Sequence, residues 1–199
     1  MYKKPLQPRA IASEERFLDA LDHLLKEKSL GQLTIDEIAE KAFLTRGAFL
    51  RRFGTKKQAL FVLWDRYCDG CIAVKERLAN NLDLYANALD ACADISREIA
   101  ALHTLGFSAN RAMHEDFLEE LMINPATKNI FMAGVDLLHR VRTRFLHEDS
   151  PRDSRDFAAT QVIITLNYNY VLQAAPGLPA DPVQRHRLIA RLVVEALKE

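Results

Sequence analysis

The chain has 199 residues, enough for one large domain or two small ones with a buried core. Its 27 Lys and Arg residues balance its 27 Asp and Glu residues, so the overall charge does not by itself indicate a nucleic-acid partner. Three cysteines do not make a disulfide framework, and no segment suits a secretory signal or a bilayer span, so we expect a cytoplasmic protein without membrane association.

The first 80 residues predict four helices. Residues 9–28 carry one apolar stripe at the spacing of an α-helix. Thr34 stands three residues before a glutamate, which is the pattern of a capping box and predicts the start of a second, short helix. Thr45 suits the N-cap of a third helix, and Thr55 suits the N-cap of a longer fourth helix that ends near residue 80.

Helical spacing continues through the rest of the chain. The further predicted helices cover residues 83–104, 107–123, 126–147, 153–174 and 183–198. Pro125 suits a helix start. The 153–174 helix is apolar nearly all round, so it must be covered on more than one side. Because no segment convincingly indicates a strand, the predicted fold class is all-α.

The three short N-terminal helices have the arrangement of a helix-turn-helix, in which the second helix of the motif would be residues 46–53. In that geometry the recognition helix enters the major groove, and its N-terminal half meets the base edges. Phe49 and Phe53 lie four residues apart and are expected to face inward. The backbone N–H groups and the lysine of Thr55-Lys56 suit a phosphate.

The charge is unevenly distributed in a way that supports this interpretation. Residues 1–60 carry twelve Lys and Arg against eight Asp and Glu, a net charge of +4 that the remaining residues offset. The stretch 45–60 alone holds five basic residues and no acidic one. Taken alone, such a stretch is equally typical of a solvated helix face, whereas its position in a helix-turn-helix favours DNA binding. Lys3, Lys4 and Arg9 suit either a minor-groove arm or a solvated terminus.

The spacing of residues across 34–60 resembles the DNA-binding segment of TetR/AcrR-type transcriptional regulators. The residues that carry the resemblance are Thr34, Ile38, Ala39, Ala42, Thr45, Gly47, Phe49, Phe53, Thr55, Lys56 and Leu60. The resemblance implies a three-helix DNA-binding domain over residues 1–55 and a helical effector-binding and dimerisation domain over residues 56–199. The residues expected to contact DNA are Thr34, Thr45, Arg46, Gly47, Ala48, Leu50, Arg51, Arg52, Thr55 and Lys56.

The chain departs from the family pattern at four positions. Phe43 and Ser29 stand where the family usually has glycine, and each is expected to bear the cost of a positive φ. Leu50 replaces the phosphate-binding tyrosine of the family, and Arg52 replaces the histidine or tyrosine that follows it. Since Leu50 cannot donate to a phosphate, Arg51 and Arg52 are expected to supply the contact, which would make binding more sensitive to salt.

A homodimer is expected because one short recognition helix reads only a few base pairs, whereas a two-fold dimer reads two half-sites of a palindromic operator. The helices near 153–174 and 183–198 are the predicted contact and would form a four-helix bundle with their symmetry mates. Completion of the monomer's own core is the alternative role of these two helices.

The resemblance also implies a small-molecule effector that moves the two DNA-binding domains apart and so ends repression. We expect a lipophilic or aromatic compound, since sites lined by apolar groups with a few polar ones suit such ligands. The candidate lining residues are Trp64, Phe107, Arg111, His114, Phe117, Met132, His139 and Asn167.

Other chemistry finds little support in the sequence. Cys68 and Cys71 form a single Cys-x-x-Cys pair without a second pair at zinc-site spacing, so no metal and no cofactor are expected. Asp136 and His139 match only half of a helical di-iron site. No motif of an enzyme is present. The predicted function is a DNA-binding repressor, and the alternative is a helical small-molecule carrier whose helix-turn-helix no longer binds DNA specifically.

Overall fold

The structure is a computed structural model that describes residues 2–172 and 177–198. The described residues form ten α-helices and one short 3-10 helix, Leu82–Leu84, with no β-strand among them. The α-helices are α1 (Pro8–Leu25), α2 (Ile35–Lys41), α3 (Arg46–Phe53), α4 (Lys56–Asn80), α5 (Ala88–Leu105), α6 (Phe107–Asp116), α7 (Leu118–Ile123), α8 (Pro125–Leu146), α9 (Ser154–Val171) and α10 (Pro182–Lys198). The all-α prediction is therefore confirmed, and no helix of the described part is long and apolar enough to cross a membrane.

Local capping signals fix the first helices where the sequence predicts them. The hydroxyl of Thr34 accepts from the backbone N–H of Glu37 at 3.1 Å, and the Glu37 carboxylate accepts from the backbone N–H of Thr34, which completes the capping box. Thr45 caps α3 by accepting from Ala48 at 3.2 Å, and Thr55 caps α4 by accepting from Gln58 at 3.1 Å.

Two predicted helices in the middle of the chain were wrong in their bounds. The predicted helix 107–123 is divided into α6 and α7 because Phe117 leaves the helical region, with φ −145° and ψ 40°. The predicted helix 83–104 begins only at Ala88, after the 3-10 turn. The end of the predicted helix 153–174 lies outside the described residues, which contain α9 as far as Val171.

The chain divides into two compact units by packing. The head unit comprises Met1–Tyr67 and Gly106–Asn124, and the body unit comprises Cys68–Leu105 and Pro125–Glu199. This division follows contacts within the fold, so the predicted functional boundary after residue 55 stays a prediction.

The core of the head unit holds α3 on α1 through three aromatic rings. Phe49 lies edge-on to Phe17 with ring centroids 5.4 Å apart, and Phe53 packs on both, at 5.1 Å from Phe49 and 6.0 Å from Phe17. All three are buried, as predicted for Phe49 and Phe53. Aromatic pairs in this geometry are worth about 0.5–1.5 kcal/mol beyond the area they bury, so α3 is firmly seated.

Helices α6 and α7 complete the head unit, although they lie far beyond α3 in the sequence. Arg111 on α6 donates to the carbonyl of Leu25 at 2.6 Å, and Ser108 donates to Asp22 at 2.6 Å. Gly106 precedes α6 where the ring of Tyr67 passes so closely that an added Cβ would lie 2.1 Å from it. Any other residue at that position would require the Tyr67 ring to move.

The body unit is a bundle in which α5, α8, α9 and α10 share one apolar core. A buried ion pair joins two of these helices. Arg142 on α8 donates from Nε to Asp156 Oδ1 at 3.0 Å and from Nη2 to Asp156 Oδ2 at 2.9 Å, and both side chains are fully buried. Asp156 also accepts from the backbone N–H of Asp153 in a second capping box, so the ion pair fixes the start of α9 on α8.

Candidate nucleic-acid interface

One face of the recognition helix α3 is exposed, and its other face is buried in the core of the head unit. With Phe49 and Phe53 buried, Arg46, Gly47, Leu50 and Arg51 are exposed. The helix stops at Gly54, whose φ of +73° suits glycine. The exposed face therefore offers two guanidinium groups and one apolar side chain, Leu50, which is 39% exposed.

The three arginines of α3 have different partners in the structure. Arg46 pairs with Asp36 on α2, with Nη1 and Oδ2 2.6 Å apart at an exposed position. Arg52 lies 3.7 Å from the carboxylate of Glu14 on α1. Arg51 has no carboxylate partner among the described residues, so its charge is the least compensated of the three.

A groove runs between the N-terminal end of α1 and the side of α3. Its volume is about 300 Å³. It is lined by Gln7, Arg9, Ala10, Ser13, Phe17, Ala48, Arg51 and Arg52. Three arginines beside a serine hydroxyl make a basic, polar groove next to the recognition helix, and arginine is the side chain best suited to a phosphate.

Glu14 anchors this region and was missed by the sequence analysis. Its carboxylate is buried, accepts from the Tyr2 hydroxyl at 2.8 Å and faces Arg52. Burial and the hydrogen bond to Glu14 raise the pKa of Tyr2 well above its ordinary value. The Tyr2 ring stacks on Phe53, with centroids 6.2 Å apart, so the start of the chain lies against the head unit. The signal was available in the sequence, since Glu14 interrupts the apolar stripe of α1 three residues before Phe17.

Two of the predicted DNA contacts are occupied by bonds within the head unit. The Thr34 hydroxyl donates to Glu37 at 2.8 Å as part of its cap, and Lys28 pairs with the same carboxylate. The hydrogen bond from Lys28, followed by those from Thr34, lowers the pKa of Glu37 to about 2. Lys56 donates to the carbonyls of Leu30, at 2.8 Å, and Leu33, which holds the turn before α2 on the start of α4.

The two glycine replacements behave differently from each other. Phe43 has a φ of +51° and is 86% exposed, so it bears the expected backbone cost without burying its ring. Arg16 donates to its carbonyl at 3.0 Å. The corresponding expectation for Ser29 was wrong, because Ser29 is not among the described residues with positive φ. Its backbone N–H and hydroxyl instead bond to Gln32.

The structure distributes the candidate effector residues over both units. Trp64, Phe107, Arg111, His114 and Phe117 belong to the head unit, and Met132, His139 and Asn167 belong to the body unit. Arg111 is bonded to the end of α1, and the Phe117 ring packs on Phe61 at 5.7 Å.

The polar candidates of the body unit have partners inside the bundle. His139 Nδ1 lies 3.3 Å from the Asp156 carboxylate, and the Asn167 side chain bonds to Ser96 and to the carbonyl of Ile163. Their role as effector contacts therefore stays a prediction.

Comparisons with known proteins agree with this geometry. Residues 17–62, which contain the second half of α1, all of α2 and α3 and the start of α4, match the family described as bacterial regulatory proteins, tetR family. The chain has the fold of a TetR-family regulator. None of the curated proteins matches the sequence significantly.

Solved TetR-family structures resemble the chain over nearly its whole length at low identity. A protein described as a TetR-family transcriptional regulator from Mesorhizobium loti aligns with a TM-score of 0.73 and 10% identity, covering 95% of this chain and 98% of its own. NalD, the secondary repressor of the MexAB-OprM multidrug efflux pump in Pseudomonas aeruginosa, aligns with a TM-score of 0.64 and 18% identity, covering 96% and 98%. FadR of Bacillus subtilis, solved with stearoyl-CoA, aligns with a TM-score of 0.63 and 17% identity, covering 92% and 98%.

Proposed function

We propose that the protein is a homodimeric repressor that binds a palindromic DNA operator through α3 and is released by a small lipophilic or aromatic effector. The observation that carries the proposal is the arginine-lined groove beside an exposed recognition helix. A protein acting on DNA in this way would work in the cytoplasm of a bacterium.

Under this proposal Arg51 and Arg46 contact different parts of the DNA. Arg51 lines the groove and has no ion-pair partner in the described part of the chain, so it suits a phosphate contact that replaces the one Leu50 cannot make. Arg46 lies at the N-terminal end of α3, the part of a recognition helix that meets base edges. Its pair with Asp36 is exposed, and exposed ion pairs are worth only about 0–1 kcal/mol, so the exchange of Asp36 for a base would cost little.

Uncovered apolar side chains on α9 and α10 support a dimer through these helices. Four large apolar side chains are exposed: Phe157 in α9, Leu172 directly after α9, and Val183 and Leu192 in α10. A second copy of the chain would cover them by forming a four-helix bundle. The effector would then act by favouring a dimer whose recognition helices no longer match the spacing of successive major grooves.

The first test is the selection of bound duplexes from a random DNA pool at two salt concentrations, followed by affinity measurements on the sequence recovered. We expect an inverted repeat. Arg51→Ala should weaken binding to every sequence. It should also reduce the slope of log affinity against log salt by about 0.9 for each phosphate that Arg51 neutralises, or about 1.8 per dimer. Arg140→Ala, which removes an exposed arginine of the body unit, is the matched control and should bind as the wild type does.

Two results would count against the proposal. If Arg51→Ala/Arg52→Ala binds DNA as the wild type does at every salt concentration, the docking geometry is wrong. If no sequence is enriched and a lipophilic compound co-purifies with the protein, the carrier alternative is favoured.

A further inference from the structure

A lysine is buried in the body unit with no opposite charge beside it among the described residues. Lys75 on α4 is only 3% exposed, and its ammonium donates to the carbonyl of Ile130 on α8 at 2.7 Å. No carboxylate lies within ion-pair distance of it in the part of the chain that the structure describes. An ammonium has three donors and a full charge, so a single carbonyl leaves most of its hydrogen-bonding capacity unused.

The ammonium borders a narrow apolar gap between α4, α5, α8 and α9. The gap is nowhere wide enough for a water molecule. Its lining consists of Lys75, Ile95, Ile99, Gly134, Leu137, Leu138, Thr160, Ile163 and Ile164. Gly134 opens the gap toward the lysine, because a Cβ at that position would lie 3.5 Å from Lys75 Nζ and 2.9 Å from Thr160 Cγ2.

A second buried polar side chain, His103, has no hydrogen-bond partner among the described residues and lies beyond the lining on the same helix face. His103 follows Ile95 and Ile99 on α5 at intervals of four residues, so it extends their face by one turn. Both of its ring nitrogens are shielded from solvent and form no hydrogen bond among the described residues, and the ring packs on Tyr168 at 5.4 Å. Burial, together with the nearby charge of Lys75, lowers the pKa of His103 to about 4, so at neutral pH its imidazole is uncharged and holds one unused N–H donor.

We infer that Lys75 and His103 bind the carboxylate of an organic anion whose apolar body occupies this gap, a statement of effector class that rests on the proposed function. One carboxylate oxygen accepts from the ammonium, and the other accepts from the imidazole N–H. A neutral ligand would leave the ammonium unpaired, whereas a dianion would bring more negative charge into an apolar site than one lysine offsets. A monocarboxylate with an aliphatic or aromatic body satisfies both the charge and the lining.

The narrowness of the gap links this ligand to regulation. Because the gap is too narrow for water, a ligand enters only if the side chains and helices that line it move apart. Helix α4 begins in the head unit and ends in the body unit. A ligand that displaces α4 at Lys75 therefore acts on a helix that also belongs to the head unit. A ligand shifts an equilibrium between two arrangements only by binding one of them better. Because the ligand fits only when the gap is open, it binds the open arrangement better than the closed one.

The experiment is titration calorimetry of the full chain at pH 7, without DNA, using octanoate, 4-phenylbutyrate and the neutral amide octanamide. We expect saturable binding of at least one of the two carboxylates and binding of octanamide at least tenfold weaker than that of octanoate. Lys75→Met should weaken carboxylate binding at least tenfold, and His103→Phe should weaken it several-fold. Lys128→Met, which changes an exposed lysine on α8, is the matched control and should leave binding unchanged.

The comparison of octanoate with octanamide tests the charge on the unaltered protein, so the result does not depend on the folding of a variant. The inference is overturned if neither carboxylate binds saturably, or if the amide or Lys75→Met matches the wild-type affinity for the acid. The DNA selection is scored separately. An enriched operator without carboxylate binding refutes only this inference, whereas carboxylate binding without any enriched DNA refutes the proposed function and leaves the ligand site standing.

Discussion

Replacing Lys75 with methionine is expected to stabilise the folded protein at pH 7, although it removes a hydrogen bond. Burial lowers the pKa of Lys75 from 10.5 to about 8, which at about 1.4 kcal/mol per pKa unit corresponds to a cost of about 3 kcal/mol for keeping the ammonium charged. The hydrogen bond to Ile130 returns about 1 kcal/mol. Methionine has a similar length and no charge, so Lys75→Met should raise the free energy of unfolding by about 2 kcal/mol.

The pH dependence gives this prediction a distinct signature. Because the folded pKa lies below the unfolded one, the cost is present in full below pH 8 and disappears as the pH rises from about 8 to 10.5. Urea unfolding of the wild type, Lys75→Met and Lys128→Met at equal protein concentration measures it. The advantage of Lys75→Met should be about 2 kcal/mol at pH 7 and close to zero at about pH 10, with Lys128→Met near the wild type throughout. A Lys75→Met protein less stable than the wild type at pH 7 would mean that the ammonium already has a stabilising partner, and its burial would then give no reason to expect a bound anion.

Three further substitutions test the packing of the two units, each by urea unfolding at pH 7. Gly134→Ala should destabilise the protein by about 1 kcal/mol or more, since its Cβ would lie 2.9 Å from a methyl group on α9. The control Gly70→Ala, on the open side of α4, should stabilise the protein by about 0.5–1 kcal/mol, and equal effects of the two substitutions would contradict the close approach at Gly134. Phe43→Gly should stabilise by about 0.5–1 kcal/mol because it relieves a positive φ at an exposed position, and a loss of stability would show that the ring packs on something. Arg142→Met should lower the free energy of unfolding by about 3–5 kcal/mol, because it leaves the buried Asp156 carboxylate unpaired. The control Arg140→Met, at an exposed position, should lower it by less than about 0.5 kcal/mol, and similar losses for the two variants would refute the buried ion pair.

The helices that carry the DNA-binding motif were predictable because their signals are local. Thr34 and Thr45 each act on a backbone group three residues ahead, so a few letters of sequence specify the start of α2 and of α3. The break at Phe117 has no such signal, since neither glycine nor proline marks it. It coincides with the contacts of the Phe117 ring with Phe61 and with the ammonium of Lys57. Contacts between residues so far apart in sequence are not visible in a helical periodicity.

The candidate site was predictable in its exposure but not in its charge pairing. The spacing of Phe49 and Phe53 indicates which face of α3 is buried, and therefore which arginines face outward. The partners of those arginines come from other helices, so the sequence does not distinguish Arg51 from Arg52. Lys75 was missed for the same reason, because a lysine in a helix is ordinarily read as solvent-facing. Its spacing from Cys71, four residues before it, and from Leu78, three residues after it, is the sequence signal that places it on an apolar face.

Two buried charges of the protein provide a comparison within one molecule. In the head unit the Glu14 carboxylate is buried, but it accepts from Tyr2 and faces Arg52, so its burial is compensated by groups of the same unit. In the body unit Lys75 is buried to a similar degree with a carbonyl and no carboxylate among the described residues. A buried charge is ordinarily retained only with a partner, and removal of an uncompensated one usually stabilises a protein. A buried charge that weakens the fold and has no ionic partner among the described residues is best explained by a partner that arrives from outside. The expected gain in stability on losing Lys75 and the expected loss of carboxylate binding therefore have a common physical cause.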